Sequence, residues 1–550
     1  MLAIFGSALG SPIPHPSKSG LGGPPDKPAY NVCTKVGLAV SHKNKALSGL
    51  LKVLDLGSSV AESDTLLEAA RVETSAFSDL LNDRVDLVPG TKGSGKSALF
   101  RIFVDFLPDY LLRQRKVVVA HGIQAPGDPV FHAFTDRFSK LSEEEFVSFW
   151  CIYLVSLAHE QFIKGPRYGR FLKNAGAEIG KFRVACANAK IPEIEARKSL
   201  RDILEWSLHV LMSWRPKVKY RPPDDTGEWE LDLFGSKMPA YSEKTDEAPE
   251  HSLPKYVNDI KQGLESVLQA SQLSLWLMVD RLDEIFPRRS DVERTALRGL
   301  LRAMRYFASA SIRVKVFLRD DMLEQVVRTD NGFTALTHVT VREADTLRWT
   351  QDQILAMVVK RFFANDSLAN YFKVNREQLD ASASYRAECF GKIFPPTVFR
   401  GTRQSPTIRW ICNRCADGRV VVTPRDVLDL LIRALQRQQD IYAAEPDGSS
   451  DYLIGTAAIQ YGFEELSQRK RQTYLQAEFP HLWKHIEKFA GGKTDYSASV
   501  LESILGGDWK AIAEHLVAIG FFSKGRKAGE EVFSVPFLYR HGMNLTQGKA

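Results

Sequence analysis

Apolar residues gather in short continuous runs, set between longer stretches of helical spacing. Residues 85–88, 116–120, 275–279, 313–318 and 338–341 form such runs. Short runs of this kind suit strands buried on both faces. Elsewhere apolar positions recur every three to four residues. That spacing predicts helices over 64–81, 99–107, 143–163, 192–214 and 254–270, and helix throughout 349–442. Strands alternating with helices imply an α/β fold, a parallel sheet covered on both faces.

The longest gap between strands, 122–271, reads as a helical insertion into a core spanning 36–345. It is broken at 215–254 by a charged stretch with Pro and Gly, which suits an exposed loop or a small hairpin. Residues 1–35, rich in Pro, Gly and Ser, read as a disordered arm. A helical lid over 346–445 precedes a C-terminal domain at 446–550. There, helices over 476–489, 498–505 and 508–518 lead into a hairpin of 519–522 and 532–535. Its turn carries Lys524, Arg526 and Lys527. Three helices and a wing predict a winged-helix-like domain.

Composition narrows the class. A chain of 550 residues exceeds one domain, and 44% hydrophobic with 25% charged residues is ordinary for a globular protein. No apolar run reaches the length of a membrane span, and 146–158 reads as a buried core helix, so no membrane partner is expected. The N-terminus lacks a basic region ahead of its apolar patch, so no secretory signal is expected. Six cysteines make no disulfide framework, which suits a reducing cytoplasm. A net charge of +7 permits nucleic acid as a partner without demanding it.

The strongest motif is Gly90-Thr91-Lys92-Gly93-Ser94-Gly95-Lys96-Ser97, with Ala98 opening the helix behind it. It fits G-x-x-x-x-G-K-[ST] between a predicted strand and a predicted helix. Glycines let successive backbone N–H groups curl around a β-phosphate, and the helix N-terminus adds its dipole. Lys96 then bridges β- and γ-phosphates, and the Ser97 hydroxyl ligates Mg²⁺. ATP and Mg²⁺ are thus the expected ligands. Asp280 ends the run 275–279, where open sheets place ligands, and suits the magnesium through water. Asp283 or Glu284, just beyond, could polarise the attacking water. Arg319 ends another strand on the same edge and could sense the γ-phosphate. Thr423-Pro424-Arg425-Asp426 fixes a helix start with Arg425 in its first turn. For both arginines the alternative is a structural ion pair.

The spacing of Asp280 to Asp283-Glu284 resembles the second ATPase motif of NACHT and related STAND ATPases. The order of strand, P-loop, acid strand, arginine-ended strand and helical lid with Pro424-Arg425-Asp426 resembles the wider AAA+/STAND group. It is also similar to bacterial P-loop ATPases near the KAP branch, without the membrane spans that KAP proteins insert. The resemblance spans 64–435. It implies an ASCE-type P-loop NTPase: a regulatory or assembly ATPase, with a bacterial antiphage defence system as its setting. A DNA-bound AAA+ loader or transposition-type regulator is the alternative.

Weaker signals bear on partners. Arg294, Arg298, Arg302 and Arg305 share one helix face, as a solvated stripe or as cations for a neighbour's nucleotide. Cys412 and Cys415 have no second Cys pair, so core packing is expected rather than zinc. The expected assembly is a nucleotide-dependent homo-oligomer, with a protein encoded by a neighbouring gene as a possible partner and DNA as another.

Overall fold

A computed structural model describes residues 47–122, 141–189, 253–284, 290–327, 342–401, 403–445, 452–527 and 529–550. It also describes 207, 211 and the strands at 217–220 and 229–232. The N-terminal arm, the helix expected over 192–214 (apart from 207 and 211) and the strand expected at 338–341 lie outside the described residues.

The strands in chain order are β1 (Leu87–Gly90), β2 (Val117–Gly122), β3 (Lys217–Tyr220), β4 (Trp229–Asp232), β5 (Ser274–Val279) and β6 (Ile312–Arg319). Four of them form a parallel sheet in the order β1-β6-β5-β2. Residues 342–347 run parallel along the free edge of β1, bridging at Glu343 and Leu347. β3 and β4 pair as an antiparallel hairpin inside the stretch read as loop or hairpin.

Alternation along the strands builds two cores. Leu275, Leu277 and Val279 of β5 join one hydrophobic cluster, and Trp276 and Met278 join the other. The P-loop helix covers the second face through Leu99, Phe100 and Phe103. The insertion covers the first through helices Glu143–Leu157, Gly176–Asn188 and Leu253–Ser271, with Asp291–Phe307 beside them. Helix Glu143–Leu157 starts on a Ser142/Glu145 capping box. It packs against Asp291–Phe307 so closely that a Cβ on Gly299 would lie 2.6 Å from Phe146 Cβ. With its continuation to Ile163 it is long and apolar enough to cross a membrane, but 83% of that stretch is buried in the protein.

Three local expectations are corrected. The helix expected over 64–81 is only Ser75–Leu81, capped by Thr74. Upstream, Asp64 turns its carboxylate to the Ser58 and Leu66 amides and to Arg361, which breaks the helical path. The P-loop helix begins at Lys96 rather than 99 and widens into a π-turn at Ile102–Phe106. The arginine stripe is drawn inward: Arg298 pairs with Glu143 at 3.0 Å, and Arg302 with Glu143 and Glu144 at 3.0 and 2.7 Å. Arg294 bonds Asp291 of its own helix, and Arg305 is exposed.

A third core joins residues 47–56, the helices Gln351–Phe363 to Pro424–Ala444, and most of the C-terminal segment. Cys412 and Cys415 are free thiols buried in it. The C-terminal order is helix Pro480–Ile486, β7 (Lys493–Ser497), helices Ala498–Leu505 and Trp509–Ala518, β8 (Ser523–Lys527), β9 (Glu530–Ser534) and β10 (Thr546–Lys549). The sheet order is β10-β7-β9-β8. The basic residues expected in a turn therefore form β8, a mostly exposed edge strand whose cations hide its periodicity. β7 and β10 were not legible as strands.

At the N-terminal end of β1 the fully buried Lys315 donates to Asp83 at 2.6 Å, Asp86 at 3.0 Å and the Val85 carbonyl at 2.8 Å. Arg342 shares both acids. Removing Lys315 takes the buried cation from this cluster, leaving the acids to Arg342 and Arg313 and the Val85 carbonyl without that donor. Lys315→Met is therefore expected to destabilise the fold by about 3 kcal/mol in urea denaturation.

Candidate functional site

β1 delivers Gly90 to the C-terminal edge of the sheet, where the chain turns back on itself. Gly93 (φ +84°) and Gly95 (φ +98°) occupy the left-handed region, which glycine adopts without strain. Gly90 is also sterically required, because a Cβ there would meet Ser94 Oγ at 2.5 Å. The Lys96 ammonium lies in the curl, donating to the carbonyls of Gly90 at 2.7 Å and Thr91 at 2.9 Å. The Thr91 and Ser94 hydroxyls are buried without a hydrogen-bond partner among the described residues. A cradle with a buried cation and unpartnered hydroxyls fits a phosphate chain.

The acid strand arrives one strand away from the P-loop strand, with β6 between them. Asp280 is buried and lines the same cavity as the Ser97 side chain. Burial pushes its carboxyl up to about 6, against the opposing pull of Ser97 and Lys96. Burial likewise lowers Lys96 to about 8, although Asp280 and Asp283 favour its charge. Arg281, next in the chain, takes φ +63° and pairs with Glu62. Among the described residues no group of three or more His, Cys, Asp or Glu could hold a metal by itself. A hydroxyl and one carboxylate suit Mg²⁺, which is usually completed by waters and substrate phosphates.

Arg319 ends β6 between the two motifs. It grips Asp321 with Nε at 2.9 Å and Nη2 at 2.8 Å, while Nη1 reaches Asp283 at 3.4 Å and Glu478 at 3.3 Å. Burial works against its charge, but these carboxylates hold its pKa above the ordinary value. Arg319 is therefore ion-paired, and it lines the same cavity as Lys96 and Asp280. Arg425 lies against Gly93, whose Cβ would meet Arg425 Cβ at 3.2 Å, and donates to the Ser59 carbonyl at 3.3 Å. Glu284 ends the turn Leu282–Glu284, and its side chain lies outside the described residues.

Two cavities meet at the P-loop. One, of about 680 Å³, is lined by Lys96, Ser97, Asp280, Asp283, Arg319 and Arg425. The other, of about 920 Å³, passes Gly93, Gly95 and Ala98 to a mainly apolar wall that includes Leu67, Val72, Ile102, Met357 and Leu428. The first collects the charged groups, and the second is lined more by apolar than by polar surface. Of the residues singled out in the sequence, Gly90 to Ala98, Asp280, Asp283, Arg319 and Arg425 converge here. Sequence reasoning missed Trp349, which donates to the Ser94 carbonyl at 2.7 Å. It also missed Glu478, which pairs with Lys92. Neither belongs to a local pattern, so no sequence signal marks them.

No family model and no curated protein matches the chain. A solved structure, the Walker-type ATPase PABY2304 of Pyrococcus abyssi, aligns over 90% of this chain and all of its own at 10% identity, with a TM-score of 0.33. At that similarity the functional reading rests on the site itself.

If Asp280 ligates Mg²⁺, as its place at the strand end predicts, protons compete with the cation for it, because a ligating carboxylate must be ionised. With its pKa near 6, Mg²⁺-dependent nucleotide affinity is expected to hold at pH 7 and to fall about tenfold per unit well below pH 6. Titration calorimetry at pH 5 and 7, with and without Mg²⁺, checks this.

Proposed function

We propose that this chain is an ATP-binding and ATP-hydrolysing P-loop ATPase of the regulatory or assembly type, working with Mg²⁺ in the cytoplasm. The carrying observation is that the buried Lys96, held on the carbonyls of the glycine-rich turn, shares one cavity with Ser97 and the buried Asp280. Lys96 and Ser97 of the glycine-rich turn thus meet the distant Asp280 where that turn fits phosphates. When bound, Mg²⁺ neutralises phosphate charge. Ser97 and Asp280 hold and orient it. Lys96 leaves its carbonyl partners for the β- and γ-phosphates, and Arg319 meets the charge that develops on transfer. Asp283 or Glu284 receives a proton from the attacking water. The apolar cavity suits the adenine and ribose, with Arg425 closing over the P-loop from the lid. The resemblance to STAND and AAA+ ATPases favours an antiphage defence setting.

The C-terminal order of helix, strand, two helices and hairpin supports the winged-helix reading. Its wing speaks for a protein partner over DNA. Of its cations, Lys524 and Lys527 are paired with Glu531 and Asp495, and Arg526 is exposed. Cations already neutralised in this way release fewer counterions from a phosphate backbone.

Lys96→Ala is expected to abolish nucleotide binding or turnover while the circular dichroism spectrum is kept. Glu284→Gln is expected to retain ATP and slow hydrolysis about 10²-fold or more, the span of a general base. If Asp283→Asn alone has that effect, Asp283 is the base. Normal affinity and turnover in folded Lys96→Ala overturns the reading.

We further propose nucleotide-dependent homo-oligomerisation, since a site at the strand ends is open to a cation from a neighbour. Arg305 is the exposed member of the stripe. Mass measurement with a non-hydrolysable ATP analogue is expected to show a larger species than without it. A monomer in both states, with turnover per chain independent of concentration, refutes this.

A further inference from the structure

The C-terminal unit enters the nucleotide site through Glu478. This residue lies between the turn Arg471–Gln476 and helix Pro480–Ile486, and its side chain is only 6% exposed. One carboxylate oxygen pairs with the Lys92 ammonium of the P-loop, and the other is 3.3 Å from Arg319 Nη1. The segment is held rigidly behind it. Tyr474 and Phe479 stack edge to face with ring centroids 5.3 Å apart, and the Tyr474 hydroxyl donates to the Ile519 carbonyl at 3.2 Å. Beside Glu478 the two units part around a cavity of about 980 Å³, bordered by Thr91, Asp321, Arg419, His515 and Ile519.

Arg319 is unevenly used. Its Nε and Nη2 are engaged by Asp321 at 2.9 and 2.8 Å, whereas Nη1 makes only the two long contacts, to Asp283 and Glu478. Arg319 borders the same cavity as Lys96, Ser97 and Asp280. A phosphate there offers more charge and shorter bonds than a carboxylate at 3.3 Å. We propose that Glu478 is an internal anion that fastens the C-terminal unit to the nucleotide site, and that the γ-phosphate of a bound nucleoside triphosphate displaces it. The proposal rests on the ATP reading above. A nucleoside diphosphate lacks the displacing group, so docking persists with it. Linkage makes the effect reciprocal: docking weakens triphosphate binding by the same factor by which triphosphate weakens docking.

The test uses the full chain as wild type, as the near-isosteric Glu478→Gln and as Lys92→Ala, which breaks the contact from the other side. Hydrogen exchange over 471–489 is followed without nucleotide, with ADP and with a non-hydrolysable ATP analogue. Affinities for both nucleotides are measured in parallel. In wild type the analogue, and not ADP, is expected to speed exchange. Both variants are expected to exchange fast without nucleotide. Glu478→Gln is expected to bind the analogue about tenfold more tightly with ADP affinity unchanged, the scale of one charged hydrogen bond. A merely structural Glu478 leaves that triphosphate-to-diphosphate ratio fixed. The proposal is overturned if bound analogue leaves wild-type exchange unchanged, or if Glu478→Gln weakens analogue binding. Should wild type bind neither nucleotide, the ATP reading fails and the displacement with it. Exchange in the nucleotide-free variants still reports separately whether Glu478 fastens the unit.

Discussion

A buried cation facing a buried carboxylate across the top of a parallel sheet is the constraint on which the rest of this protein depends. Neither Lys96 nor Asp280 is comfortable there by itself. Burial drives the lysine down to about 8 and the acid up to about 6, each opposed by the charge of the other. The pair is held where it stands by backbone rather than by choice of rotamer. The glycine-rich turn fixes Lys96 against two carbonyls, and β5 fixes Asp280 at its end. With β6 between the two strands, the motifs are separated by two strand spacings, about 10 Å. Arg319, at the end of the intervening β6, stands between the two motifs and lines their cavity.

The remaining charges around the parallel sheet divide by position along the strands. At the N-terminal end of β1, Lys315, Arg342, Asp83 and Asp86 satisfy one another. At the insertion, Arg298 and Arg302 are matched by the first-turn acids of helix Glu143–Leu157. Those acids also sit favourably at the positive end of that helix. At the C-terminal edge matching is incomplete by comparison: hydroxyls lack partners, and Arg319 spreads one nitrogen over two distant acids. Buried polar groups left short of partners in a cleft are where ligands act.

The lid and C-terminal segment share a hydrophobic core, so they act on the site as a connected body. Besides the apolar wall that Met357 and Leu428 lend the cavity, their contacts with the site include polar ones: Trp349 on the Ser94 carbonyl, Arg425 on the Ser59 carbonyl, Arg361 on Asp64, and Glu478 on Lys92 and Arg319. Polar attachments of this kind respond to a charged ligand far more than packed apolar surfaces do, because the ligand competes for the same donors and acceptors.

Much of this was local enough to read from sequence. The P-loop declares itself because phosphate binding needs glycine at backbone positions such as Gly93 and Gly95, and lysine and serine at the helix start. Asp280 declares itself because an apolar run must end in an acid at the ligand edge. The Thr423 cap and Pro424 similarly placed Arg425 in a first helical turn. The strands buried on both faces were legible for the same reason, as short unbroken apolar runs. Other features were decided by contacts between distant segments, which no local pattern encodes. Asp64 broke an otherwise helical stretch because Arg361, nearly three hundred residues away, engages its carboxylate. The arginine stripe looked free until the glutamates at 143 and 144 folded against it. β8 was hidden because an exposed edge strand need not alternate. Glu478 is an unremarkable acid between two helical segments until the fold seats it on Lys92 and Arg319. The sequence alone determined the chemistry that a turn or strand end can hold. Only the tertiary structure decided which charges are spent on each other and which remain for a ligand, because ion pairing is settled by proximity in space.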